Sequence, residues 1–297
     1  MKKRILIAPL NWGLGHAARC IPIIHALVEH NFVPVIASDG AALTLLRKEF
    51  PNLSSIELPS YNITYAKNGA FFKLKLLKDS PKLIAAIKEE KKAISRILEH
   101  NDIAGIISDN RLGVRHKKVP SIFITHQLNV LSGSTSWLST KMHQKFIKKF
   151  NICWVPDVEG NVNLSGKLGH VKSFEVPVNY IGPLSRFSMS TPIIKNNLMV
   201  LISGPEPQRN LLEEKLFQEF KNYPGKVIFV KGLMEKAQTI QVLGNMTIYN
   251  FMTSGLLEKT KNERALKKSS YGYTKIMEKE KNKKKKKNIK KKLKYEK

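Results

Sequence analysis

A short apolar run followed by a glycine turn and an amphipathic helix constrains the fold of this chain most. Ile5–Leu10 is a continuous apolar stretch, typical of a parallel strand that is buried on both faces. The turn Asn11–Gly15 interrupts it, and apolar residues then recur at helical spacing between Ala17 and Leu27. Strand, glycine turn and helix form the first unit of a doubly wound α/β domain, in which ligands bind at the carboxyl edge of the sheet.

The glycine turn permits three interpretations. Gly13 and Gly15 leave room for close backbone approach, and the N–H groups of the first helical turn favour an anion. With Ala18 they fit a loose dinucleotide fingerprint, and Asp39 follows the next strand where a ribose-binding acid sits, which predicts an NAD- or FAD-dependent enzyme. Alternatively, the turn is the acceptor-side loop of a sugar transferase, in which His16 reaches the reacting groups. The third interpretation is a tight turn with no ligand.

Polar residues also follow two later strands. Asp109 comes directly after the apolar run Ile103–Ser108, and His126 follows Val119–Thr125. Because parallel strands end at one edge of a sheet, we expect these residues to converge on His16. An inverting sugar transferase needs a base that takes the proton of the acceptor hydroxyl, so all three are candidates for that role.

The first half of the chain resembles the amino-terminal domain of GT-B glycosyltransferases. It is most similar to glycosyltransferase family 28, which includes the bacterial enzyme that forms lipid II from UDP-GlcNAc. The matching residues are Gly15-His16 with Pro22 one turn further on, and Ile124–Asn129, which looks like a His-Glu-Gln-Asn motif without its acidic residue. The resemblance implies catalytic roles for His16 and His126, with Asp109, and an acceptor side formed by Gly13, Gly15 and Asn129.

The second half of the chain adds two further motifs to this resemblance. Ser203–Arg209 looks like the glycine-rich loop that opens the donor domain, and Gly272–Met277 looks like the turn and helix that bind the donor phosphates. The donor-binding residues that the resemblance implies are Ser203, Gly204, Glu206, Gln208, Arg209, Gly272, Tyr273 and Thr274.

The expected architecture is therefore an α/β, GT-B chain with two Rossmann-like domains facing a cleft. The domains predicted are an acceptor-side domain over residues 1–184, a linker over 185–197, a donor-binding domain over 198–278, and a disordered lysine-rich tail over 279–297. The resemblance stops after Met277, so the second domain is expected to be incomplete and its donor affinity weak. The implied reaction moves a sugar from a nucleotide-sugar, expected to be a UDP-sugar, to a cell-envelope or lipid-linked acceptor with inversion, without cofactor or metal.

Several details of secondary structure are predicted as well. Three strands are expected in the second domain, beginning near Leu198, Val227 and Met246, and a helix is expected from Ser254 to about Lys267. In the first domain, Pro81 is expected to break or restart the long amphipathic region Phe71–His100.

Composition bounds the partners and the location. The 297 residues carry a formal net charge of +28, and no apolar run reaches the length of a membrane span. We expect a cytoplasmic protein, peripheral on the inner face of the membrane, whose basic surface meets anionic lipid. Residues 261–297 hold 17 Lys or Arg and 4 Glu, a net charge of +13. A basic nucleic-acid-binding protein is thus a further alternative. However, few aromatic residues lie between the lysines of this stretch, so it predicts only salt-sensitive, unspecific binding of nucleic acid.

Overall fold

The computed structural model describes residues 2–61, 72–131, 136–171, 173–187, 198–204, 206–235, 237–262 and 265–269; for residues 72–80, 261–262 and 265–269 it describes the backbone alone. The chain divides into two compact units, Met1–Met189 and Ser190–Lys297, which are taken separately below. The division falls inside the predicted linker, residues 185–197.

The first unit is built on a parallel sheet of seven strands. In chain order these are β1 (Arg4–Pro9), β2 (Val33–Ser38), β3 (Ser55–Glu57), β4 (Ile103–Asp109), β5 (Ser121–Ile124), β6 (Ile152–Val155) and β7 (Val178–Tyr180). Their spatial order is β3-β2-β1-β4-β5-β6-β7, and every neighbouring pair is parallel. The strand order reverses between β1 and β4. Such a reversal is the switch point at which open α/β sheets bind ligands.

Four α-helices of the described residues connect these strands. They are α1 (Gly15–Glu29), α2 (Gly40–Glu49), α3 (Phe72–His100) and α4 (Ser136–Ile147), and a short 3-10 helix covers Gly166–Leu168. The prediction that Pro81 breaks the long region is wrong, because α3 continues through it. Proline removes one backbone hydrogen bond, and the packing of Ile94 and Ile97 in the core offsets that loss.

The core of the first unit lies on the faces of this sheet. Leu6 and Ala8 of β1 pack with Val35 and Ala37 of β2 and with Ile94 of α3. A second cluster forms around Phe123, Ile147, Phe150, Cys153 and Val155. Because helices cover the sheet, its central strands read as continuous apolar runs rather than as alternating ones, and this is why the first strands are recognisable from sequence.

The second unit contains a five-stranded sheet. Its strands are β8 (Leu198–Ile202), β9 (Val227–Val230), β10 (Ile240–Leu243), β11 (Met246–Tyr249) and β12 (Ala265–Ser269), and its helices are α5 (Gln208–Phe220) and α6 (Ser254–Asn262). The spatial order is β10-β11-β9-β8-β12, parallel except for the antiparallel hairpin of β10 and β11. As in the first unit, the order reverses beside the first strand, here between β8 and β12.

Two predictions for the second unit need correction. The predicted three strands are five, and the helix that begins at Ser254 ends at Asn262 instead of continuing to Lys267. Residues Ala265–Ser269 pair in parallel with Leu198–Ile202. Their sequence, A-L-K-K-S, has no strand pattern of its own, so pairing with a buried neighbour decides the conformation.

Candidate active site

An imidazole and a carboxylate meet at the switch point of the first unit. His16 is the second residue of α1, and Asp109 is the last residue of β4. The backbones are tied together there, since Pro9 pairs with Asp109 and the Leu10 amide donates to the Asp109 carbonyl oxygen at 2.9 Å. The His16 Nδ1 atom lies 2.9 Å from Asp109 Oδ1, which leaves Nε2 as the ring nitrogen turned away from the carboxylate. The expected convergence of these two residues is therefore present.

Arg19 joins this pair, although the sequence did not single it out. Its Nε donates to Asp109 Oδ2 at 2.5 Å, and its Nη2 contacts Asp109 Oδ1 and lies 2.7 Å from His16 Nδ1. Its Nη1 lies 3.1 Å from Nδ1 of His126. Arg19 thus contacts all three of the predicted catalytic side chains. Its position three residues after His16 is the available sequence signal, because residues at that spacing are neighbours on a helix surface.

Asp109 is held as a buried carboxylate. Its side chain is 0% exposed. Burial by itself would raise the pKa of Asp109, but the Arg19 guanidinium and the His16 ring together hold that pKa well below its usual range. The Cys20 thiol donates to Asp109 Oδ2 at 3.8 Å, and burial together with this carboxylate raises the pKa of Cys20 well above its ordinary value. Asp109 is therefore an anion here, suited to orienting an imidazole rather than to accepting a proton.

His126 lies beside the pair, beyond the end of β5. Burial lowers its pKa, and the nearby Arg19 and His16 lower it further. Asn129, predicted on the acceptor side, binds the segment around the 3-10 helix: its side-chain amide donates to the carbonyl oxygens of Lys167 at 2.7 Å and His170 at 3.0 Å. His126 therefore joins the cluster, whereas the Asn129 amide shapes the loop beside it.

The two glycines of the turn have different roles. Gly13 has φ of 70°, a conformation that a glycine adopts without strain. Gly15 begins α1, and a side chain built there would have nothing within 4 Å. No side chain caps the amino terminus of α1, and its first turn contains no acidic residue. The N–H groups of this turn are thus available to a ligand with negative charge.

The glycine-rich turn of the second unit follows β8. Ser203 and Gly204 come directly after it, and Gln208 begins α5. Arg209 is buried; its Nε donates to Glu206 Oε1 at 2.5 Å and its Nη1 to Glu213 Oε2 at 2.6 Å. Glu206 and Arg209 therefore bind each other and brace the turn. Gly272, Tyr273 and Thr274, predicted to contact the donor phosphates, lie outside the described residues, as does the predicted tail 279–297.

Similarity to known proteins is found at the level of the fold. No protein-family model matches the sequence, and no curated protein matches it significantly. Among solved structures, the glycosyltransferase of kitacinnamycin aligns with 90% of this chain and 76% of its own, with a TM-score of 0.51 at 11% identity. The chain has the GT-B fold. At this identity the likeness shows the fold alone.

Two further solved structures with the GT-B fold align less closely. UGT2 of Phytolacca americana, complexed with UDP-2-fluoroglucose and pterostilbene, has a TM-score of 0.47 at 14% identity over 90% of this chain and 71% of its own. The spinosyn rhamnosyltransferase SpnG, complexed with thymidine diphosphate, has the same TM-score and identity over 76% of this chain and 65% of its own. The chain thus spans just under two thirds of the length of SpnG.

A second buried ion cluster lies just after the ends of β2 and β4, next to the switch point. Arg111 follows β4; its Nε donates to Glu90 Oε1 at 2.6 Å, its Nη1 to Asp39 Oδ1 at 2.5 Å and its Nη2 to the Pro59 carbonyl oxygen at 2.6 Å. The other Asp39 oxygen accepts from the Asn11 amide at 3.1 Å. Both oxygens of Asp39 are therefore used within the protein, which argues against its predicted role as a ribose-binding acid in a dinucleotide site.

The described part of the chain holds neither a cluster of metal-ligating side chains nor a helix of membrane-spanning character. Within those residues, no group of three or more His, Cys, Asp or Glu side chains is arranged to hold a metal ion. Cys20 and Cys153 are both buried free thiols. No described helix is long and apolar enough to span a bilayer.

Proposed function

We propose that this protein is a glycosyltransferase that moves a sugar from a nucleotide-sugar, a UDP-sugar, to a hydroxyl acceptor with inversion. The observation that carries the proposal is the His16 imidazole, 2.9 Å from a fully buried carboxylate at the switch point of a GT-B fold. The glycosyltransferase of kitacinnamycin, whose fold this chain shares, supports sugar transfer as the reaction class. The turn at Ser203–Arg209 is the proposed donor side.

His16 is the proposed general base. In the working state its Nδ1–H donates to Asp109, and Nε2 takes the proton of the acceptor hydroxyl. The acceptor oxygen forms a bond to the anomeric carbon of the sugar as the bond from that carbon to the diphosphate oxygen breaks. The nucleoside diphosphate leaves with the electron pair, and the imidazolium later releases its proton to water. Asp109 stabilises the imidazolium through its charge.

Donor binding tests the reaction class. Calorimetry with UDP-GlcNAc and with NADH, side by side, separates the transferase from the dinucleotide enzyme. We expect weak binding of UDP-GlcNAc, in keeping with the incomplete donor domain predicted from the sequence, and no heat of binding from NADH. Saturable NADH binding that is lost in Asp39→Ala would overturn the proposal in favour of the dinucleotide enzyme.

Turnover tests the role of His16. Radiolabelled UDP-GlcNAc is incubated with a membrane lipid extract and with cell-wall glycan, and label in the organic or the insoluble phase is counted. His16→Ala should lower transfer by about 100- to 10,000-fold, with donor affinity retained. His30→Ala is the matched control, because His30 is exposed at the carboxyl end of the same helix. Equal transfer by both variants would remove His16 from the mechanism.

We propose in addition that the acceptor reaches the protein from an anionic membrane surface, on which α4 lies. Three large apolar side chains on its outer face are exposed: Trp137 at 65%, Leu138 at 48% and Met142 at 56%. Residues 136–150 hold four lysines, Lys141, Lys145, Lys148 and Lys149, and no acidic residue. Apolar side chains among lysines suit the headgroup region of anionic lipid.

Vesicle cosedimentation tests this surface. The protein should pellet with vesicles of phosphatidylglycerol and phosphatidylcholine, and much less with phosphatidylcholine alone. Trp137→Ser with Met142→Ser should lower the bound fraction. Val242→Ser is the control, since Val242 is an exposed apolar residue of β10 in the other unit. Equal binding by both variants would show that α4 is not the contact.

A further inference from the structure

The contacts of Arg19 bear on which ring nitrogen of His16 carries the hydrogen. A guanidinium has five N–H donors and no acceptor. Arg19 Nη2 lies 2.7 Å from His16 Nδ1 and also contacts Asp109 Oδ1. Because a guanidinium nitrogen cannot accept a hydrogen bond, the contact between Nη2 and Nδ1 is a hydrogen bond only if Nδ1 is the acceptor. His16 Nδ1 therefore accepts from Arg19, as Asp109 does, and the 2.9 Å between Nδ1 and Oδ1 separates two acceptors bridged by one Nη2 group.

This assignment places the proton of the neutral ring on Nε2. A neutral imidazole carries one N–H, so a ring whose Nδ1 accepts has its hydrogen on Nε2. The base in the proposed function needs the opposite arrangement, with Nδ1–H on Asp109 and a lone pair on Nε2. Arg19 and His16 thus compete for the same carboxylate, and in this structure Arg19 holds it through both Nε and Nη2.

We propose that Arg19 is a positioning residue that holds His16 in its Nε2–H tautomer, so that the base becomes active only when the guanidinium leaves Asp109. The exchange needs no net charge change: Nε2 gives a proton to water, and Nδ1 takes one from water and donates it to Asp109. The catalytic consequence rests on the proposed function, but the tautomer does not. Both side chains keep some contact with solvent, since Arg19 is 14% and His16 12% exposed, so water can reach the ring for this exchange.

The other groups around His16 agree with this assignment. His126 presents its Nδ1 to Arg19 Nη1 at 3.1 Å, so it too accepts from the guanidinium. The planar guanidinium of Arg19 therefore contacts Asp109, His16 and His126 simultaneously. A lysine ammonium at this position would keep the charge beside Asp109 but would not reproduce the planar fork.

Nitrogen-15 NMR of the histidine rings tests the proposal without any substrate. The full chain is labelled at histidine and studied at a pH at which the rings are neutral, where the two ring nitrogens of each tautomer differ in chemical shift and in their couplings to the ring protons. The His16 signals are identified as those missing in His16→Gln. We expect wild-type His16 to have a bare Nδ1 and a protonated Nε2. A protonated Nδ1 in the wild type would overturn the proposal.

Variants of Arg19 complete the test. Arg19→Met should convert His16 to the Nδ1–H tautomer, since Asp109 then becomes its partner. Because the methionine variant leaves Asp109 buried without a cation and the protein can fail to fold, Arg19→Lys provides a second route, in which a substantial Nδ1–H population is expected. Arg47→Met is the control and should leave His16 unchanged, because Arg47 lies near the end of α2 and donates to Ser55 of β3 rather than to any residue of the site. An unaltered Nε2–H tautomer in the folded variants would also overturn the role of Arg19.

This readout separates the inference from the proposed function. If no sugar is transferred by any variant but the tautomer converts, the function fails and the inference stands. If His16→Ala abolishes transfer while wild-type His16 is already Nδ1–H, the function stands and the inference fails.

Discussion

Replacing Arg111 by methionine should destabilise the first unit more than any surface charge substitution. Arg111 and Glu90 are both 0% exposed, and Asp39 is 7% exposed. The guanidinium donates to both carboxylates and to a backbone carbonyl oxygen. Removing it leaves two buried carboxylates without their cation, a change that costs about 3–5 kcal/mol. For a unit of this size that lowers Tm by about 6–20 °C.

The cost is limited by the protonation of Glu90. Burial raises the pKa of Glu90 above its ordinary value, although Arg111 and Tyr61 act in the opposite direction. In Arg111→Met the pKa of Glu90 should rise further, so that the carboxyl becomes neutral rather than remaining a buried charge. We therefore expect the loss to diminish as the pH is lowered towards the acid range, where Glu90 is protonated in both forms.

Urea unfolding followed by tryptophan fluorescence measures this loss. The three tryptophans of the chain, Trp12, Trp137 and Trp154, all lie in the first unit, so the signal reports on that unit. Lys148→Met is the matched control: Lys148 and Glu175 form an ion pair that is 35% and 73% exposed, and such pairs contribute about 1 kcal/mol or less. A loss in Arg111→Met within about 1 kcal/mol of the control would refute the reasoning.

Three further predictions concern the site. Arg19→Met should raise the pKa of His126, because burial lowers that pKa and the charge of Arg19 lowers it further; proton NMR titration measures it, and an unchanged value would show that Arg19 does not contribute. The stabilisation due to Asp109, whose folded pKa is depressed, should be present above its unfolded pKa of about 4 and lost as the pH falls through the folded value. Urea unfolding should therefore show the difference between wild type and Asp109→Asn shrinking upon acidification; a constant difference would contradict the assignment. Cys20 and Cys153 should react slowly with a thiol reagent until the protein unfolds, because both are buried and burial raises the pKa of Cys153 to about 12; rapid reaction of the native protein would disagree.

The sheet of the first unit was predictable where the sequence carries a local signal. β1, β2 and β4 are apolar runs bounded by turns, and such runs are typical of strands covered by helices on both faces. The convergence of His16 and Asp109 followed from the same rule, since parallel strands end at one edge. The strand β12 had no such signal, because its conformation depends on pairing with β8, a partner distant in the sequence.

The parts of the site that escaped prediction depend on long-range pairing. Arg19 is one of many basic residues, and only the fold brings it to a carboxylate 90 residues away. Asp39 is a ribose-binding acid in one of the alternative interpretations of the sequence, but its partner Arg111 is 72 residues away and gives it a structural role. Charged residues show no periodic pattern from which their partners could be identified. The sequence alone therefore indicates the acids and bases of a site but not which of them pair.

The strand lengths of the first sheet also bear on how the protein avoids associating with itself. The outermost strands, β3 and β7, are three residues long, whereas the central β4 has seven. Few unpaired backbone N–H and C=O groups therefore remain at either edge of this sheet to pair with a strand of another chain. The hairpin strand β10 differs: its four residues are all exposed, and Ile240, Val242 and Leu243 are apolar. Self-association by strand addition should therefore begin at β10, and a lysine at Val242 is the substitution that would block it.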